Sequence, residues 1–184
     1  MMEAITSLST ASKELRLSKF RNCAESNCDK PTRTENSSKI KKRFTVPGTK
    51  WCGVGYKAEN YSDLGTNIKT DMCCREHDHC DVYIESFNWR YGLFNSGFHT
   101  AMDCHCDERF RNCLIEASQN PISYNDKVTA DAIGKFYFNF LQPTCLKKDY
   151  PYVCMHWGLF ACTGYKRDLT QPMVWYLIDS DIRY

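Results

Sequence analysis

The sequence predicts a mainly α, disulfide-rich domain with a small β portion, and three observations carry that prediction. Twelve cysteines occur in 184 residues, a density that cytosolic proteins rarely reach and that points to an oxidising compartment. Two cysteine-rich segments, 71–80 and 104–113, have helical spacing, with Cys106, Phe110 and Cys113 at i, i+4 and i+7 on one face. Late in the chain, Tyr152-Val153-Cys154 and Trp175-Tyr176-Leu177-Ile178 are short aromatic and β-branched runs suited to strands or a hairpin.

Taken in order, residues 1–43 hold ten Lys/Arg against five Asp/Glu, a net +5, while residues 44–184 hold fourteen against seventeen, a net −3. The first part is read as a propeptide or N-terminal extension. Residues 32–43 form a polar linker ending in Lys41-Lys42-Arg43, a cleavage site for basic-directed convertases or else a solvated charge run. Cys23 and Cys28 can pair within this part, and Asn36 and Asn60 stand in glycosylation sequons. Residues 1–22 contain no apolar run of the roughly 7–15 residues a secretory signal needs, so the chain reads as secreted by its cysteines with no signal peptide visible. No segment reaches the roughly 18 apolar residues that span a bilayer.

In the body, Thr70-Asp71 can cap a helix running to about Ile84. Residues 85–97 read as a loop. Asn95-Ser96 or Thr100 can start a second helix that continues to about Ala117. A shorter helix is expected over residues 128–141, and the strand-like runs follow Leu146. There is no internal repeat.

Three segments carry chemistry. Trp51-Cys52-Gly53-Val54-Gly55-Tyr56 is a glycine turn whose backbone path can aim several carbonyls at one point. Calcium takes six to eight oxygens, carbonyls and carboxylates among them. His77 and Asp78 leave their helix about 100° apart, so they divide the work: Asp78 toward a metal, His77 toward a water, since histidine titrates near neutrality and suits general-base work. A base needs a partner on its other ring nitrogen, and Asp107 is the candidate. A bond between Cys80 and Cys106 would bring the two together between antiparallel helices. His79 and His105 have no partner at useful spacing and read as structural or exposed. Cys73, Cys74, His77, His79 and Cys80 offer zinc as an alternative, but adjacent helical cysteines splay apart, which suits two disulfides better than one tetrahedral site.

These segments resemble group III secreted phospholipases A2, the bee-venom-like branch. The matching residues are Trp51-Cys52-Gly53-x-Gly55, Cys73-Cys74-Arg75-x-His77-Asp78-x-Cys80, Gly92-Leu93, His99-Thr100, Cys104-x-Cys106-Asp107 with Phe110 and Cys113, Tyr137-Phe138-Asn139, Trp175-Tyr176 and Arg183-Tyr184. The resemblance covers residues 44–184 as a catalytic domain. It implies His77 as general base, Asp107 as its orienting partner and Tyr137 as support to Asp107. It implies one calcium ion held by the carbonyls of Trp51, Gly53 and Gly55 and by the Asp78 carboxylate. It implies the pairs Cys52–Cys74, Cys73–Cys113, Cys80–Cys106, Cys104–Cys145 and Cys154–Cys162. The implied activity is calcium-dependent hydrolysis of the sn-2 ester of glycerophospholipids, and the implied partner a phospholipid membrane surface, with no nucleic acid and a monomeric protein. With a body at −3, membrane binding must rest on local lysines and apolar groups. Phe44, Val46, Phe94 and Phe98 are the candidates, with core packing the role of at least half of them. A silent, receptor-binding relative is the competing reading; the intact His77, Asp78, Asp107 and glycine loop argue against it.

Overall fold

A computed structural model describes residues 44–184. The 1–43 extension, the Cys23–Cys28 pair, the Lys41-Lys42-Arg43 site and the Asn36 sequon lie outside the described residues. Three helices, α1 (Ile68–Asp78), α2 (Cys104–Gln119) and α3 (Tyr124–Gly134), form the body, and α3 runs on as a π-helical segment, Lys135–Leu141. Among the described residues, ten strands pair antiparallel in twos. β1 (Phe44–Thr45) pairs with β2 (Gly53–Val54), β3 (Tyr83–Ile84) with β6 (Ala101–Met102), and β4 (Trp89–Arg90) with β5 (Leu93–Phe94). β7 (Thr144–Asp149) pairs along its length with β10 (Val174–Asp179), and β8 (Tyr152–Trp157) with β9 (Cys162–Arg167).

Helix α2 packs against both α1 and α3. Between them lies the core, where Leu114 and Ala130 are fully buried and Phe110, Phe138 and Trp51 nearly so. Five disulfides staple this small body: Cys52–Cys74, Cys73–Cys113, Cys80–Cys106, Cys104–Cys145 and Cys154–Cys162. All ten described cysteines are used, which removes the thiolates a zinc site would need. The Cys73–Cys113 bridge joins α1 to α2, and Cys80, two residues past the end of α1, is bonded to Cys106 near the start of α2. The C-terminal Tyr184 closes the core, its hydroxyl donating to Asp131 Oδ1 at 3.0 Å and its ring lying where a Cβ on Gly134 would stand.

Helix α1 begins and ends earlier than expected. It starts at Ile68, and Thr70-Asp71 is not its cap. Buried Asp126, reaching across from α3, accepts from the Thr70 amide at 3.0 Å and the Thr70 hydroxyl at 2.6 Å. A tertiary carboxylate thus replaces a local one at the orphan amides of the first turn. The helix stops at Asp78, where the His79 and Cys80 amides turn back to the carbonyls of Glu76 and His77. Tyr83 and Ile84, expected in the helix, form β3 instead, since pairing with β6 buries Ile84 completely.

Helix α2 begins at Cys104, later than either expected start, with the Asp103 side chain accepting from the His105 amide at 2.7 Å. Asn95 is buried and spends its side-chain amide on the carbonyls of Ile84, Glu85 and His99, so it organises the preceding loop rather than capping a helix. That loop contains the β4–β5 hairpin, closed by Tyr91 and Gly92 at φ 55° and 73°, the left-handed pair a tight hairpin turn demands. Helix α3 starts at Tyr124, four residues before the expected 128, because Ser123 caps the Asp126 amide at 3.1 Å. The strand Trp175–Ile178 does not pair with Tyr152–Cys154 in one hairpin. It returns to β7, leaving β8–β9 as a separate ribbon.

Candidate active site

The adjacent cysteines Cys73 and Cys74 divide α1 into two working faces. Residues four apart share a helix face, so Cys73 lies over His77 and Cys74 over Asp78. Cys73 is bonded to Cys113 of α2 and Cys74 to Cys52 of the glycine loop. One staple therefore fixes the histidine's face against α2, and the other fixes the aspartate's face against the loop.

On the first face, His77 Nε2 lies 2.8 Å from Asp107 Oδ1. Tyr137, from the π-helical segment, donates its hydroxyl to the same oxygen at 3.1 Å. The wider π-turn lets neighbouring Tyr137 and Phe138 both pack inward, the first on this site and the second in the core. His77 and Asp107 are both buried, and Asp107 Oδ2 has no hydrogen-bond partner in the protein. A carboxylate stripped of water in this way acts strongly on any positive charge that develops beside it. Burial, then the Asp107 charge, then the hydrogen bond to it hold the Tyr137 hydroxyl well above its ordinary range, so it stays a donor. Two aromatic contacts complete the clamp. Phe110 stacks on the imidazole with ring centroids 4.3 Å apart, and Tyr137 meets it edge-on at 5.3 Å. With Nε2 committed to Asp107, Nδ1 is the nitrogen left for a water.

On the second face, the glycine loop is held from below by Asp71. This buried carboxylate accepts the amides of Lys50 at 3.0 Å, Trp51 at 2.8 Å and Gly65 at 2.8 Å. Trp51 is buried, while Gly53 and Gly55 are exposed with φ of 153° and 72°, values that side chains rarely tolerate. A Cβ on Gly53 would stand on the Phe44 carbonyl oxygen. Asp78 is exposed at its edge, yet the surrounding protein desolvates its carboxyl enough to push it up to about 6. Among the described residues no three His, Cys, Asp or Glu side chains gather as a metal cluster, so any ion here would rest mainly on backbone oxygen.

The sequence-derived residues thus separate into two groups. The structure brings His77, Asp107 and Tyr137 into one hydrogen-bonded unit. It places Trp51, Gly53 and Gly55 on one loop, stapled one helical turn from Asp78. His79 packs against the Trp51 and Tyr61 rings, and His105 is exposed, as their spacing implied. Phe44, Phe94 and Phe98 are exposed and Val46 alone of the four packs on the core, fewer than the half expected. Three residues do more than their spacing revealed. Phe110 is the imidazole's stacking partner, and its i+3 offset from Asp107 was the available signal. His99 is half-buried within reach of the Asp107 charge, with desolvation holding its imidazole below the ordinary range. Asp71 organises the loop across 20 residues, which no local pattern encodes.

Comparison with known proteins agrees with this geometry. The family model described as phospholipase A2 matches residues 45–149. The phospholipase A2 of Xylocopa appendiculata circumvolans is 37% identical over 144 residues, covering 77% of this chain and 76% of that protein. Phospholipase A2 isozymes PA3A/PA3B/PA5 of Heloderma suspectum are 40% identical over 124 residues, 67% of this chain and 81% of theirs. The human group 3 secretory phospholipase A2 is 41% identical over 117 residues, 64% of this chain but only 21% of that longer protein. With its His77-Asp78 motif, its disulfide frame and these matches together, the chain belongs to the phospholipase A2 family, in its group III, bee-venom-like branch, and is an enzyme of phospholipid hydrolysis.

Proposed function

We propose that the protein is a secreted, calcium-dependent phospholipase A2 that hydrolyses the sn-2 ester of glycerophospholipids at a membrane surface. The observation that carries this reading is the 2.8 Å contact between His77 Nε2 and Asp107 Oδ1, which leaves Nδ1 as the base. His77 takes a proton from water at Nδ1 as the water oxygen attacks the ester carbonyl. The imidazolium that forms is stabilised by Asp107, which Tyr137 and the Cys73–Cys113 and Cys80–Cys106 bridges hold in place. The proton then passes from Nδ1 to the leaving glycerol oxygen as the ester bond breaks. The products are a fatty acid and a lysophospholipid. The reversed order of the Cys73–Cys113 and Cys80–Cys106 bridges supports an antiparallel reading of α1 and α2, in which residues from the end of α1 and the start of α2 meet.

The residues of the second face fit calcium. One desolvated carboxylate and a loop of glycine-permitted backbone form a hard oxygen donor set, the kind calcium prefers. The carbonyls of Trp51, Gly53 and Gly55 and the Asp78 carboxylate would hold the ion. When bound, calcium supplies Lewis-acid polarisation and positive charge for the lipid phosphate and the oxyanion. We assign residues 44–184 as the catalytic domain and 1–43 as an extension removable after Arg43; N-terminal sequencing of secreted protein checks this. The central test is fatty-acid release from vesicles of phosphatidylcholine labelled at sn-2. Release with calcium and none in excess EGTA is expected; equal release in both would refute the calcium assignment, and label retained in the lysolipid would refute the sn-2 assignment.

A further inference from the structure

We propose that the tip of the β8–β9 hairpin inserts into the headgroup–acyl boundary of a zwitterionic phospholipid bilayer. This rests on the reading of the protein as a phospholipase acting at a membrane. The tip is Trp157-Gly158-Leu159-Phe160-Ala161, a stretch beyond the residues matched by the family model. Trp157, Leu159 and Phe160 are 78%, 94% and 98% exposed. Neither face of the ribbon is covered, and such a two-stranded hairpin is marginal in water by itself. The Cys154–Cys162 bridge lies directly beneath the tip, and the Gly158 amide closes the turn on the Ala161 carbonyl at 2.8 Å. The apolar tip is therefore held out in one shape rather than folded back.

The order of chemistry along the hairpin identifies the occupant. Leu159 and Phe160 stand at the extremity, suited to hydrocarbon. Trp157, paired with Cys162, comes next, and tryptophan favours the interface where one end is apolar and the other wet. Lys166 pairs with Val153, four residues behind Trp157, which sets it roughly 13 Å back at the rise of a strand, in water. Arg167 is already engaged, 3.3 Å from Asp149, and Tyr152 rests edge-on against Tyr176 of the body. The base is thus anchored, and the hairpin's two cations stand well behind the tip, Lys166 about 13 Å from Trp157 and Arg167 one residue further back, so the attraction at the tip is apolar rather than directed at anionic headgroups. A convex tip of this kind needs a medium that deforms around it, which a fluid bilayer supplies.

The test uses the full chain with all bridges formed and vesicles of diether phosphatidylcholine, which the enzyme cannot hydrolyse. Partition is measured by sedimentation. The wild-type protein should bind equally at low and high salt, since apolar insertion is not screened. The Leu159→Ser/Phe160→Ser variant should bind on the order of tenfold more weakly or worse, while Phe160→Leu keeps most of the affinity. Turnover of a dispersed short-chain phosphatidylcholine should be the same in all three proteins. Equal partition of the double variant would overturn the proposal. So would a wild-type dimer that the double variant dissolves, because the tip would then be a contact between copies of the chain. Absent turnover of the dispersed substrate by the wild type, with partition as expected, would strike the proposed enzymatic function and leave the insertion standing.

Discussion

The α1–α2 pair and the β8–β9 hairpin are both stapled by disulfides, but the staples act differently. Between the helices, Cys73–Cys113 and Cys80–Cys106 run beside a packed core and hold His77 and Asp107 at 2.8 Å. In the hairpin, Cys154–Cys162 has no core beside it, and both faces of the ribbon are open. A bridge in the first setting fixes the geometry of chemistry that packing already favours. In the second it takes the place of packing. The lesson is that a cysteine pair shows where a chain needs rigidity without showing why.

The sharpest way to break the helical half is through its proposed base. His77→Gln should lower turnover by about 10²–10⁴-fold or more while circular dichroism and calcium binding stay close to wild type. Glutamine matches the bulk but cannot take up the proton. Asp107→Asn should cost less than the loss of the base, because it misorients the imidazole without removing it. Tyr137→Phe should cost less again, since Asp107 keeps its bond to His77. Steady-state kinetics on vesicles orders the three, and an inverted order would redraw the roles.

Removing staples tests the comparison directly. Replacing Cys73 and Cys113 together by alanine should destabilise the whole body by about 2–4 kcal/mol, read by denaturant unfolding. Replacing Cys154 and Cys162 should leave that unfolding midpoint nearly unchanged and raise hydrogen exchange only across residues 152–167. A hairpin deletion that lowered the midpoint as much as the helical one would erase the distinction.

The smallest effect concerns pH. Desolvation pushes Asp78 up to about 6, and as the proposed calcium ligand it must be ionised. Affinity for calcium should therefore be full above that pH and fall as the pH drops through it, by about tenfold per unit once proton and metal compete. Calorimetric titration at two pH values on either side of 6 checks the sign. Asp78→Asn should bind calcium weakly and lose the pH dependence.

Much of this site is legible in the order of the amino acids alone. The spacing of Cys73, Cys74, His77 and Asp78 already sends two staples and two functional groups to two helix faces, because 3.6 residues per turn leaves no other arrangement. The glycines at 53 and 55 announce a backbone that only glycine follows easily, and the resemblance built on these residues implies the five pairings that the structure shows. Element boundaries are less accessible. The end of α1 and the start of α2 depend on Ile84 finding β6 and on Asn95 binding three carbonyls, and each is a contact between segments that local periodicity does not register. The cap of α1 by Asp126 and the support of the glycine loop by Asp71 span 56 and 20 residues. The exposure of Leu159 and Phe160 has the same origin. Their hydrophobicity is written in the chain, but whether a tip meets a core or water is decided only when the remaining strands choose partners, and β10 chose β7.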